Sequence, residues 1–178
     1  MASQTSLTGA AGEYYVLYEL LRQGYIAALA PTGAPNVDIV VTNKEGSQQC
    51  SIQVKTRRVI GSNGGWLMSE KHETIRGERL FYCFVDFQSS DTVRPLVYVM
   101  PNDVVAKAIA ESHRKWLAAP GKGVRPHTPN KMRRLIPFDK TLQMAGSAYG
   151  AGWLDKYLYK WKILGLDTIV SEHTIAEE

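Results

Sequence analysis

Two short β-branched runs, residues 37–42 and 51–56, constrain this chain more than any other feature. They are joined by Asn43-Lys44-Glu45-Gly46-Ser47, a polar link with a glycine, which is a hairpin signal. With Glu45 and Gly46 as central residues, Lys44 faces Ser47 and paired residue numbers sum to 91, so Asp38 lies opposite Gln53. Strand alternation puts Asp38, Val40 and Thr42 on one face together with Ser51, Gln53 and Lys55. Val37, Ile39, Val41, Ile52 and Val54 fill the other face, as a core requires. An acid, an amide and an ammonium therefore converge on one side of a sheet. A slip of one residue would undo the arrangement.

Around the hairpin the pattern predicts a helix over about residues 8–23, with Thr8 as N-cap and Gly24 as its stop. Its apolar stripe is Ala10, Tyr14, Leu17, Leu20 and Leu21, and Glu19 and Arg22 fall on the polar face. A short apolar run at 25–30 and a Pro/Gly loop at 31–36 lead into the hairpin. Residues 80–87 and 95–100 read as two more strands. A helix then runs to about Leu117, capped by Asn102 or Asp103. One more helix is expected over about 153–164. The order α-β-β-β-β-α makes the chain α/β or α+β with a mixed sheet. At 178 residues a single domain is expected, with a core at about 8–118 and a basic loop plus helical extension at about 119–178.

Glu13 lies about 40° from Leu17 and about 20° from Leu20 around the predicted helix. It sits at the margin of the apolar stripe, where a carboxylate is costly unless paired. It is either a ligand or a first-turn acid favoured by the helix dipole. The hairpin residues also admit two readings. One is a solvent-facing sheet surface with Asp38 and Lys55 as a weak ion pair. The other is a site for phosphodiester cleavage, which needs a divalent cation to neutralise the phosphate and activate water. Mg²⁺ is typically held by one or two carboxylates plus waters and substrate oxygens. Asp38 is the natural primary ligand, Gln53 offers an amide oxygen, and Glu13 completes the shell. Lys55 can position the water and stabilise the phosphorane.

The net charge is +4, yet the span between Glu111 and Asp139 has no acid and seven bases: Arg114, Lys115, Lys122, Arg125, Lys131, Arg133 and Arg134. The remainder is net negative, so the positive charge is local and leans toward an anionic partner. The stretch from Lys122 to Arg134 can wrap a nucleic-acid backbone or serve as a solubilising loop. Arg57 and Arg58, directly after the lysine strand, are either phosphate contacts or solvated strand-end charge. His72, in a polar segment with Lys71, Glu73, Arg76 and Arg79, is expected to be exposed. Cys50 and Cys83 lack metal or redox spacing and read as buried thiols. Trp116, Trp153, Tyr157 and Trp161 read as core or as a subunit interface, and through the latter a homo-oligomer. Neither a secretory leader nor a membrane span is present in the pattern, so a cytoplasmic protein is expected.

Gly12-Glu13 with its helix, Gly24-Tyr25, Asp38-Ile39-Val40-Val41 and Ser51-Ile52-Gln53-Val54-Lys55-Thr56 together resemble the PD-(D/E)XK nuclease superfamily. The likeness is to archaeal Holliday-junction resolvases, Mrr-type restriction enzymes and intron-associated endonucleases. It covers about a third of the chain, from Gly9 to Arg58. The resemblance implies a restriction-endonuclease-like core, a mixed sheet of about four strands flanked by helices in the order αβββαβ. It also implies Mg²⁺-dependent DNA cleavage, with Mn²⁺ as a substitute, Asp38 and Glu13 as metal ligands and Lys55 as the catalytic lysine. Two departures stand out. Gln53 occupies the place of an acid, as in a QxK variant, and Pro35 lies three residues before Asp38 rather than beside it. Gln53 leaves open a second reading, a catalytically impaired module binding nucleic acid or a protein.

Overall fold

The computed structural model describes residues 4–58, 65–88, 92–121, 125–137, 149–150 and 152–167. Helix α1 spans Gln4–Arg22 and ends at Gly24, whose φ of 86° suits glycine. It starts four residues before Thr8, so Thr8 lies inside the helix rather than capping it. Nothing in residues 4–7 breaks a helix. The buried ridge is Gly12, Val16 and Leu20, spaced four apart, which differs from the expected stripe. Tyr14 is 61% exposed and Leu21 51%.

Glu19, expected on the polar face, is 2% exposed. It is held by Arg22 and by Arg94, 75 positions away, each at 3.0 Å from Oε2. Burial pushes its pKa up, but the bonds and charges of the two arginines outweigh this and hold it below the ordinary value. A carboxyl depressed by folding stabilises above its unfolded pKa and loses that contribution as pH falls through the folded one. Glu19→Gln is therefore expected to cost about 1–3 kcal/mol near neutrality. Thermal melts of the two proteins should converge as pH drops below the ordinary carboxylate range.

Strands β1 (Ile26–Leu29), β2 (Ile39–Thr42) and β3 (Gln49–Arg57) form an antiparallel meander. β4 (Trp66–Ser69) and a 3-10 turn (Glu70–Glu73) follow, then β5 (Leu80–Asp86) and β6 (Leu96–Pro101). The main sheet has the order β1-β2-β3-β5-β6, five strands rather than about four, and only β3 and β5 run parallel. The parallel pair demands a crossover. Where the αβββαβ order places a helix, the described crossover residues carry β4 and the 3-10 turn. β4 pairs with β7 (Met132–Leu135) in a separate two-stranded sheet.

Helix α2 (Asn102–Ala118) continues straight from β6, so Pro101 takes the N-cap position without a side-chain cap. Neither Asn102 nor Asp103 caps it, and the Asn102 side chain is turned inward. The expected helix at 153–164 is instead two 3-10 turns, Asp155–Tyr157 and Trp161–Leu164. Between them Leu158 bridges to Tyr98, and the Tyr159 N–H donates to Val97 O at 2.8 Å. The chain leaves the helical path to cover the open edge of β6. None of the described helices is long and apolar enough to cross a membrane.

Both faces of the sheet are covered. Ile39, Val41, Ile52, Val54, Cys83 and Val85 pack against α1 together with Trp161 and Leu164. Tyr82, Phe84 and Met100 pack against α2 and the two-stranded sheet through Ile109, Trp66 and Leu135. Both cysteines are free and buried.

Candidate active site

The β2–β3 register places the site. Ile39 pairs with Ile52, Val40 with Ser51, Val41 with Cys50 and Thr42 with Gln49, each summing to 91 as the turn implied. The link itself is longer than two residues. Buried Asn43 organises it, accepting Gln48 N–H at Oδ1 (3.0 Å) and donating from Nδ2 to Ser47 Oγ (2.9 Å). One step beyond the ladder, the Asp38 N–H donates to Ile52 O at 2.9 Å. The Val54 N–H then donates to Asp38 Oδ2 at 2.7 Å. The aspartate carboxylate thus replaces the backbone acceptor that β2 no longer supplies. That bond is short and charge-assisted, and it holds the side chain against β3. Oδ1 makes no hydrogen bond among the described residues.

Gln53 and Lys55 project from β3 on the face opposite α1. Gln53 is 6% exposed, and its Oε1 is buried without a hydrogen-bond partner. Lys55 is half-buried. Burial lowers its pKa and Lys71 adds to the lowering, while Asp38 and Glu13 pull it back up. The Glu13 pKa is raised, first by burial and then by Asp38, with Lys55 opposing. The charges of Glu13, Asp38 and Lys55 thus bear on one another, and Gln53 lies on the same face of β3 as Lys55, two residues before it. The helix presses on β3 at Gly12, the residue before Glu13. A Cβ there would come within 2.8 Å of Thr56 Cβ and Cγ2.

Among the described residues no three His, Cys, Asp or Glu side chains gather as a metal-ligand set. The candidate donors, Glu13, Asp38 and Gln53, are two carboxylates and one amide oxygen, all hard. That set suits Mg²⁺ or Mn²⁺ and does not suit a zinc centre. The orphaned Gln53 oxygen and the mutual repulsion of Glu13 and Asp38 are both what a bound cation would relieve.

The basic residues divide. Arg57 donates from Nε (3.0 Å) and Nη2 (2.5 Å) to Asp86 Oδ2 and lies 4.1 Å over the Trp66 ring. Arg133 is 9% exposed, paired with Glu73, and donates to Asn130 O and Met132 O. Both guanidiniums are engaged inside the protein, and neither stands ready for phosphate. Arg58 is exposed, 5.5 Å over the Phe87 ring. Arg125 and Lys131 are exposed, Lys131 within 3.8 Å of Glu70, and Arg134 is half-buried on β7. Lys122 lies outside the described residues.

His72, expected to be exposed, is 3% exposed, with its ring centre 6.1 Å from that of Tyr82. Tyr82 is the register partner of Gln53 across β3 and β5. Burial, offset by Asn102 and reinforced by Asp38, pushes its phenol up to about 12. No local sequence pattern singles out Tyr82, and none signals that His72 is buried. The Trp-rich tail is internal where described: Trp161 is core, and Trp153 Nε1 donates to Ile136 O at 3.0 Å. Trp116 stacks on His127 at 4.0 Å.

No protein-family model matches the chain, and no curated protein matches it. Among solved structures, it resembles a bacterial homing endonuclease, I-Ssp6803I, at a TM-score of 0.50 and 17% identity, over 91% of this chain and 93% of that one. Hjc, a Holliday junction resolvase of Archaeoglobus fulgidus, matches at a TM-score of 0.46 and 16% identity, over 90% of this chain and 98% of that one. The α1–β1–β2–β3 order, the parallel β3–β5 pair and the likeness to the homing endonuclease together give this chain a restriction-endonuclease-like fold.

Proposed function

We propose that this chain is a metal-dependent endonuclease that hydrolyses DNA phosphodiester bonds. The observation that carries the reading is the seat of Asp38 on the Val54 N–H, which aims a charged carboxylate at the strand bearing Gln53 and Lys55. Asp38, Glu13 and the Gln53 amide oxygen would hold a Mg²⁺ ion. When bound, such an ion neutralises phosphate charge and lowers the pKa of a coordinated water. Lys55, two residues along the same face, positions the attacking water and offsets charge building on the phosphorane. Among the described residues, exposed Arg58, Arg125 and Lys131 meet the DNA backbone in this reading. Purified protein with Mg²⁺ or Mn²⁺ is expected to nick plasmid or branched DNA, and Lys55→Ala to abolish it. Equal activity in wild type and variant would mean contamination and end the claim.

Gln53 in place of an acid supports a second reading, a nuclease-fold module that binds nucleic acid or a protein without cutting. Titration calorimetry with Mn²⁺ separates the two, because an active site binds the ion through Asp38. Gln53→Leu sharpens this. Removing a buried, unpaired amide for a leucine of similar size is expected to leave stability unchanged or raise it by about 1 kcal/mol. Mn²⁺ affinity should fall about tenfold, or 1.4 kcal/mol. A variant that loses stability and keeps its affinity would make the amide structural.

A further inference from the structure

The 3-10 turn Glu70–Glu73 is anchored on several sides. The Glu70 N–H donates to Lys131 O at 2.9 Å, and the Ser69 N–H donates to His72 Nδ1 at 3.2 Å. His72 is buried against Tyr82, and Glu73 is paired with the buried Arg133. Because Tyr82 neighbours Gln53 across the β3–β5 ladder, these anchors lay the turn over the sheet face that carries Gln53 and Lys55. Lys71, flanked by the anchored residues, is exposed and has no ion-pair partner among the described residues. An exposed ammonium on an anchored turn beside the Gln53 and Lys55 face is placed to meet an anion lying on that face.

We propose that Lys71 binds a phosphate of the nucleic-acid backbone next to the one that Lys55 serves, making the turn a backbone clamp. This rests on the nuclease reading for the identity of the anion. Arg133, through Glu73, then acts as a positioning residue for Lys71 and does not itself touch DNA.

The test is binding of a fluorescein-labelled DNA duplex by the full chain in EDTA, across a salt series, with steady-state cleavage in Mg²⁺ alongside. Lys71→Ala is expected to weaken binding about three- to tenfold and to lower the slope of log K against log salt by about one. KM should rise while kcat at saturating DNA stays within about threefold, and Lys71→Arg should restore both binding and KM. Unchanged affinity and slope in Lys71→Ala would overturn the proposal, as would a fall in kcat alone. So would Lys71→Arg as weak as the alanine variant. Because binding is read without hydrolysis, the two ideas fail separately. Lys71-dependent duplex binding with no cleavage would support the clamp and sink the nuclease. Cleavage with wild-type parameters in Lys71→Ala would do the reverse, and no duplex binding at all would overturn the clamp.

Discussion

Replacing Asp38 with asparagine is expected to leave the fold standing and to reduce DNA cleavage by about a thousandfold or more. The two halves of that expectation come from different atoms. Oδ2 accepts the Val54 N–H, and an asparagine carbonyl oxygen can do the same in the same volume. The bond loses its charge assistance, which is worth about 1 kcal/mol or less here. What asparagine cannot supply is the negative charge facing Glu13, Gln53 and Lys55. Asp38→Ala differs, because it also leaves the Val54 N–H unpaired inside the sheet, at about 1–3 kcal/mol. Thermal melts should therefore rank wild type, Asn and Ala in that order, while plasmid nicking falls to the same floor in both variants. If the asparagine variant cuts within tenfold of wild type, Asp38 serves as a structural cap on β3 and the proposed site loses its centre.

The hairpin was legible because its signals are local. Period-two burial chose the faces of residues 37–42 and 51–56, and the turn set a register that all four observed pairs obey. Those signals mark Asp38, Gln53 and Lys55 as candidates, Glu13 comes from its place on the expected helix, and the resemblance to a family favours the site over a plain polar surface. The phase of α1 was not legible. Tyr14, Tyr15, Leu17, Tyr18, Leu20 and Leu21 surround most of the helix, so periodicity gives the helix but not which side is buried. Two tertiary contacts decide it: Gly12 against Thr56, and Glu19 with Arg94, 75 positions away. The same holds for charge. Arg133 belongs to an acid-free basic run, yet it is neutralised by Glu73, 60 positions earlier. β4 and β7 are four residues each and pair across most of the intervening chain, with no turn between them to set a register. His72 is buried for a similar reason, since the β5 residue it packs on, Tyr82, is defined only by the fold.

Gly12→Ala is expected to destabilise the protein by about 2 kcal/mol and to remove cleavage with it. Helix propensity alone argues the other way, because alanine is about 1 kcal/mol better than glycine inside a helix. The contact decides the sign. The new Cβ would lie within 2.8 Å of Thr56 Cβ and Cγ2, and closer still to Oγ1. Thr56 is fixed in β3, in register with Val85, so it cannot retreat, and overpacking of this kind costs about 1–3 kcal/mol on top of the forfeited gain. The helix must instead lift from the strand at the position next to Glu13. Activity falls because Glu13 then leaves the field of Asp38 and Lys55. Thr56→Ala supplies the control. Its hydroxyl is buried without a partner, so losing it is nearly neutral, and it removes two of the three atoms in the way. The double variant should recover about 1–2 kcal/mol relative to the sum of the single changes in urea melts, a coupling expected only of touching residues. A Gly12→Ala protein as stable as wild type, or an additive double variant, would mean that α1 does not depend on this close approach, and that Glu13 is held over the site by something else.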